Sequence, residues 1–328
     1  MGIRILGTGS YLPENIVTNE DYTKFVDTSD EWIVKRTGIH RRRITETPTF
    51  VMAEAAARRA LEDAGVSAEE LDLIICTTVS NDYMTPSLAC VVQGRIGAKN
   101  AIAYDINAAC AAFVYALDMA NMYLKNGYRK ILIVSAESLS KITDYTDRST
   151  CVLFGDAAGA CVVEASDRPF ASCLGCDGTG AHSLFARQHR NEIPLVELQE
   201  LAEVDQFGPA RDGAIYMDGR EVYKFAVGAM SKALTEACEK FGTAPAELDL
   251  IVPHQANIRI IQTAAKELGL PLERFFVNIG EYGNTSSACI PVGLDQLNRA
   301  GKLTSGAKVG LVGFGAGLVY GGCVFEVE

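Results

Sequence analysis

Apolar residues along this chain recur in two alternating textures, and the alternation predicts its elements. Thr49 to Ala64 (TFVMAEAAARRALEDA) sets apolar positions at helical spacing among strong helix formers, and SLACVVQGRIG from Ser87 reads as another helix. Between such segments stand short, nearly continuous apolar runs, Leu71 to Val79 (LDLIICTTV) and Lys130 to Ser138 (KILIVSAES). Runs of that kind predict strands buried on both faces. Ala101 to Leu124 (AIAYDINAACAAFVYALDMANMYL) joins the two textures: a β-branched and aromatic run, small residues, one cysteine, then helical spacing. It predicts a strand turning into a buried helix, with Cys110 at the turn. The opening IRILGTGSYLP reads as a short strand ending in a Gly-rich turn, and FGDAAGACVVEA as a turn into the strand that closes the first half.

The second half repeats this order. EVYKFAVGAMSKALTEACEKFG is a helix, and AELDLIVPHQAN after it parallels AEELDLIICTTV at an offset of about 177 residues. Lys130 to Val134 parallels Lys308 to Val312 at nearly the same offset, and Gly159 to Glu164 parallels Gly321 to Glu326 at a shorter one. Matched units in matched order point to an internal duplication. The expected halves are residues 1–165 and 166–328, the second with a polar insertion or cap at about 166–218. Alternating helices and buried strands imply parallel-rich sheets covered on both faces.

Composition bounds the function. At 328 residues the chain exceeds the roughly 250 to 300 at which one core stops growing. A net charge of −11 argues against a general nucleic-acid binder, so no nucleic-acid partner is expected, and an acidic partner needs a local basic patch. No apolar stretch is long enough to cross a bilayer, and the helix after Cys110 carries Asp118, so no membrane partner is expected either. The ten cysteines are scattered, most within apolar runs, and no leader pattern is read in MGIRILGTGSYLPEN. They predict reduced thiols and a cytoplasmic location.

Several residues fit chemistry. At a helix start the free N–H groups carry partial positive charge, so Cys110 is placed to form a thiolate and act as a nucleophile. VPHQAN sets His254 just past a strand end, where ligands bind in α/β sheets, although such a histidine also serves simply to satisfy backbone groups. Asn284, in GEYGNTSSACIPVGLDQL, opens a helix and on its own reads as a cap. Joined with Cys110 and His254 it offers a neutral hydrogen-bond donor to a Cys-His-Asn set. VGFGAGLVYGG (Val312 to Gly322) is a Gly-rich strand-to-strand turn whose N–H groups can approach a ligand; no helix follows it, which makes it a poor dinucleotide site. Thr28 or Ser29 caps a helical turn leading to Trp32, the only Trp, and Arg36; this is either a packed Trp beside a solvated basic loop or a platform for a phosphorylated aromatic ligand. Cys173 and Cys176 form a CxxC without a second pair, so no metal is expected. His40, His182 and His189 lie in polar text and read as surface.

Taken together, TSDEWIVKRTGI, DINAACAAF, DRSTCVLFGDAAGA, the stretch from Gly219 to Lys224, VPHQANIRI, GNTSSA and GFGAG resemble, in order and spacing, the β-ketoacyl-acyl-carrier-protein synthase III enzymes of the thiolase superfamily. The resemblance covers essentially the whole chain. It implies an α/β, thiolase-like five-layered αβαβα fold, a homodimer, and Cys110, His254 and Asn284 as the catalytic triad. The implied reaction is condensation of an acyl-CoA with malonyl-acyl carrier protein to start fatty acid biosynthesis, with acyl-CoA a substrate and no cofactor. By the same resemblance the N–H groups of Cys110 and Ala316 form the oxyanion hole, and Phe314 packs where decarboxylation occurs. Thr28, Trp32, Arg36 and Arg148 match contacts to the CoA adenine and phosphates, and Gly219, Tyr223, Ala256 and Asn257 the pantetheine tunnel. Lys224, Arg259 and Lys266 match the patch that receives the carrier protein, and Thr85 the end of the acyl pocket, contributed across the dimer. The chain departs from the pattern at Arg220, at Glu267, which weakens the basic patch, and at Ala316. Two other readings stay open: a condensing enzyme or acyltransferase of secondary metabolism with another starter or acceptor, and a Cys-His-Asn hydrolase, which leaves the CoA-like motifs unexplained.

Overall fold

The structure, a computed structural model, describes residues 2–188, 207 and 211–328. The first half runs through β1 (Gly2–Tyr11), β2 (Ile16–Thr18), α1 (Asn19–Tyr22), α2 (Asp30–Thr37), β3 (Arg41–Arg43), α3 (Thr49–Ala64), β4 (Leu73–Thr77), α4 (Leu88–Ile96), β5 (Ile102–Ile106), α5 (Ala112–Lys125), β6 (Lys130–Ser138) and β7 (Asp156–Ser166). The second comprises β8 (Phe170–Cys176), β9 (Leu184–Ala186), β10 (Ile215–Met217), α6 (Gly219–Phe241), β11 (Leu250–Pro253), α7 (Ile258–Glu267), α8 (Ile279–Tyr282), α9 (Cys289–Arg299), β12 (Lys308–Gly315) and β13 (Val319–Glu326). The predicted helix from Thr49 and the strand from Lys130 form with the bounds expected of them.

Two sheets carry the fold, ordered β1-β7-β6-β4-β5 and β8-β13-β12-β11. Position by position the second copies the first, and where β5 would have its counterpart only a single parallel bridge, Ile251 to Phe275, remains. The helices α5 and α9 lie between the sheets, where Phe113, Leu117, Ile290 and Leu294 share one core with Ile75, Ile133 and Leu311. Outside the first sheet α3 and α4 bury Met52, Ala56, Ala60 and Val92, and outside the second α6 and α7 bury Met230, Leu234, Ile261 and Ala264. The result is five layers, αβαβα, in which each outer helix hides an apolar stripe and the central pair is buried on most of its surface, Met122 on α5 staying exposed. Close approach of α3 to β1 explains Gly7 and Gly9 of the opening strand: a Cβ on Gly9 would lie 2.4 Å from the Ala56 carbonyl oxygen.

Two expectations need correction. The sheets are mixed rather than parallel-rich: β4 runs parallel to β5 and β6, and β11 to β12, but β7 is antiparallel to both β1 and β6, and β13 to both β12 and β8. A parallel return needs a crossover of a dozen or so residues, and the turn from Gly315 to Val319 leaves room only for a hairpin. The stretch 166–218 is not wholly a cap, because β8 within it is an edge strand of the second core sheet. The pair β9–β10 stands apart from that sheet, while 189–206 and 208–210, His189 included, lie outside the described residues. Among the described residues no helix is long and apolar enough to cross a membrane.

Candidate active site

Cys110 sits where β5 gives way to α5, as its sequence context predicts. Asn107 Oδ1 accepts from Ala109 N at 3.1 Å, Ala109 takes the left-handed conformation at φ 44°, and one tight turn, Ala109–Ala111, leads into the helix. A left-handed non-glycine residue costs of order 1 to 3 kcal/mol and persists only where its surroundings enforce it. The surroundings here are β12: a Cβ on Gly315 would meet the Cys110 nitrogen at 2.6 Å, so only glycine lets that strand pass. Other surroundings oppose the anion that the helix start favours. Burial pushes the Cys110 thiol up to about 12; the Ser286 hydroxyl pulls it back and the charge of Glu137 adds to the rise.

His254 follows β11 and is buried; its N–H donates to Val312 O at 2.8 Å, tying it to β12. Burial lowers the imidazole from 6.5 to about 3, so the ring is neutral at physiological pH. Its ring meets Phe314 edge to face, centroids 5.3 Å apart. The neighbouring Gln255, which pattern reading missed, clamps the loop with every atom of its amide. Its Nε2 donates to Pro253 O at 2.9 Å and Phe276 O at 3.0 Å, and its Oε1 accepts from Asn278 N at 3.1 Å and Ile279 N at 3.2 Å. A buried amide with four partners holds one orientation.

Asn284 closes the turn that leads to α9 with its side-chain oxygen. Its Oδ1 accepts from Ser286 N at 2.8 Å, and since only oxygen can accept from an N–H, the amide NH2 is the end left for the cavity. Ser286 itself is left-handed at φ 49°, and its buried hydroxyl, though outside ideal hydrogen-bond geometry, lies near enough to Cys110 and Glu137 to favour the anion of each. Beneath this turn lies Glu137, fully buried, whose carboxylate accepts from Ser80 Oγ at 2.6 Å, Ser287 Oγ at 2.7 Å and Val79 N at 3.0 Å. Burial raises its pKa while the Ser80, Val79 and Ser287 donors oppose the rise. It pins the Asn284 turn to β6, and the sequence held no periodic signal for it.

One cavity of about 980 Å3 brings Cys110, His254, Asn284, Phe314 and Ala316 together. Its outer walls include Trp32, Arg36, Gly219, Tyr223, Ala256, Asn257 and Arg259, with Arg220 and Ser286 as members the sequence reading had not placed there. Ser29 rather than Thr28 caps α2, accepting from Trp32 N at 3.1 Å. The guanidinium carbons of Arg148 and Arg36 lie 4.4 Å and 4.7 Å from the Trp32 ring centroid. Asp218 caps α6 and Asn257 caps α7, directing both helix starts to the cavity's outer end. Tyr223 Oη and Thr263 Oγ1, 3.0 Å apart, tie the two helices. Lys224, Arg259 and Lys266 are exposed on α6 and α7, without ion-pair partners among the described residues, while Glu267 is taken by Ser231 Oγ at 2.7 Å. Thr28, Arg148, Lys224, Lys266 and Thr85 do not line the cavity, and Thr85 is exposed on the loop after β4. His40 and His182 are exposed as expected.

Comparison with known proteins identifies the family. The model of the 3-oxoacyl-acyl-carrier-protein synthase III family matches residues 104–178, and that of the family's C-terminal part matches 238–327. The chain is 49% identical over 328 residues to the β-ketoacyl-acyl-carrier-protein synthase III of Clostridium acetobutylicum, covering 99% of this chain and 98% of that one. Its fold matches the crystal structure of 3-oxoacyl-acyl-carrier-protein synthase III from Aquifex aeolicus with a TM-score of 0.90 at 43% identity, over 99% of this chain and 100% of that one. It also matches the priming β-ketosynthase of a polyketide biosynthetic pathway, with a TM-score of 0.89 at 39% identity over 100% and 96% of the two chains. With both family models falling on the segments that supply Cys110, His254 and Asn284, the chain belongs to the 3-oxoacyl-acyl-carrier-protein synthase III family.

Proposed function

We propose that this acyltransferase condenses an acyl-CoA starter with malonyl-acyl carrier protein, initiating fatty acid synthesis, in two half-reactions that share Cys110. The observation that carries the reading is one cavity uniting a cysteine with two neutral donors, a buried histidine and an Asn whose oxygen is already occupied. In the first half-reaction the Cys110 sulfur loses its proton as it attacks the thioester carbonyl. The N–H groups of Cys110 and Ala316 hold the tetrahedral oxyanion, and CoA leaves as a thiol carrying that proton. In the second, the bond from the malonyl carboxylate breaks and CO2 departs. The electron pair left behind forms an enolate whose oxygen takes hydrogen bonds from His254 and Asn284. Its carbon attacks the acyl thioester, and collapse expels Cys110, which regains a proton, leaving a 3-oxoacyl-carrier protein. Neutral donors suit this step because the charge is transient; a permanent cation there would hold the malonate carboxylate instead. Phe314, against His254, keeps the departing carboxylate in an apolar wall.

Trp32, Arg36, Arg148 and Thr28 receive the CoA nucleotide, with Arg148 lifting from Trp32 to admit the base. Gly219, Tyr223, Ala256 and Asn257 line the pantetheine path, and Lys224, Arg259 and Lys266 attract the acidic carrier, as an enzyme of net charge −11 requires. The enzyme acts in the cytoplasm, without metal or cofactor, as a homodimer. Edge strand β5, with Ile102 half exposed, and the exposed apolar side chains of Met84 and Met122 support that pairing, in which Thr85 closes a partner's acyl pocket. The match to a polyketide priming enzyme keeps a specialised starter in view as a second reading. Intact-protein mass spectrometry with a panel of acyl-CoAs tests both: the wild type gains one acyl group and Cys110→Ser gains none, whereas an adduct on Cys110→Ser overturns the reading. The chain length that loads fastest separates a primary from a specialised starter.

A further inference from the structure

Cys289 opens α9 against His254 and does not line the cavity. Its Sγ lies 3.0 Å from His254 Nδ1, and the Gln255 backbone N–H donates to the same sulfur at 3.4 Å. All three residues are buried, between 1% and 3% exposed. Burial raises the thiol and lowers the imidazole, so both are neutral and each carries one hydrogen. If the ring proton sat on Nδ1, it and the Gln255 N–H would both point into the sulfur, and the S–H would lose its acceptor in an apolar core. With the proton on Nε2, the S–H donates to Nδ1, the sulfur accepts from Gln255, and every group is used once.

We propose that Cys289 is a positioning residue for His254: its thiol donates to Nδ1 and fixes the imidazole as the Nε2–H tautomer, the donor an enolate oxygen requires. This rests on the role given to His254 above. It also makes the histidine a poor resting base toward Cys110, since Nε2 already holds a hydrogen and Nδ1 is taken by Cys289.

Selective 15N-histidine labelling of the intact protein reads the tautomer directly. The signal that His254→Asn removes should show a protonated Nε2 and a bare Nδ1 between about pH 6 and 8; a protonated Nδ1 overturns the proposal. Kinetics give a second reading. Cys289→Ala should slow CO2 release from malonyl-carrier protein about 10-fold or more, with acyl loading of Cys110 changed less than about 2-fold, and Cys289→Ser should restore both the tautomer and the rate. A Cys289→Ala protein with unaltered tautomer and CO2 release overturns the proposal, as does an equal loss in both half-reactions that Cys289→Ser fails to rescue. Full CO2 release from His254→Ala would instead remove the role of His254 on which it stands.

Discussion

Asn107 and Asn284 stand 177 residues apart, and each precedes by two positions a left-handed residue, Ala109 at φ 44° and Ser286 at φ 49°. In both the Asn Oδ1 accepts that residue's N–H, a tight helical turn follows, and a buried central helix begins. The backbone device is the same; what it presents is not. In the first copy the position after the left-handed residue is Cys110, facing the cavity. In the second it is Ser287, turned down onto Glu137, and the Asn itself is buried at the cavity wall. The duplicated fold has two such helix starts lining one cavity, and in the proposed reaction their side chains divide the work: one copy a nucleophile, the other a hydrogen-bond donor whose oxygen closes its own turn.

That division can be sharpened experimentally. The largest expected effect concerns the two sulfurs. With its thiol pushed up to about 12, Cys110 should be alkylated by iodoacetamide about tenfold faster per pH unit from roughly pH 7 to 10, with no plateau near the ordinary thiol range. Cys289, buried behind it, should stay unmodified. Peptide mapping separates both from the exposed Cys90 and Cys176, and a plateau near neutral pH would restore the thiolate expected from the helix start. Next comes the histidine. Its folded pKa, about 3, lies below the unfolded 6.5, so between those values the unfolded chain binds a proton that the folded one refuses. Stability therefore falls as pH drops through that window, by about 1.4 kcal/mol per unit. Denaturation curves should show a shallower dependence for His254→Gln; identical slopes would contradict a neutral, buried ring. The smallest effect tests the turn alone: Asn107→Ala, which removes the bond from Ala109 N, should cost about 1 kcal/mol of stability while leaving CO2 release within about 2-fold. A loss of decarboxylation there would mean that the two copies share more than backbone.

Much of this was legible in the sequence because it is written in short-range terms. The helix from Thr49, the buried strand from Lys130, the strand-to-helix turn at Cys110 and the repeat at about 177 residues follow from apolar period and local similarity. Strand direction was not, since an apolar run reads the same whichever way its neighbour points; the hairpin after Gly315 decides it. What opposes a thiolate at Cys110 was illegible for a related reason. A helix start favours an anion, but the opposing terms, desolvation and the charge of Glu137, come from residues distant in the chain. Glu137, Gln255 and Cys289 had no signal of their own, as each matters through a partner brought near only by folding. One signal was available: Asn107 and Asn284 share the offset that relates Leu71 to Leu248, which marks the Asn284 turn as a copy of the Cys110 turn.

The most direct measurement follows both half-reactions in one sample, weighing the acyl adduct on Cys110 while counting labelled CO2 released from malonyl-carrier protein. His254→Ala and Asn284→Ala should each form the adduct as the wild type does and release CO2 about 100-fold more slowly or worse, the loss expected when one oxyanion donor is removed. Wild-type CO2 release from either variant, or loss of the adduct in both, would contradict the assignment of nucleophile to one copy of the turn and donor to the other.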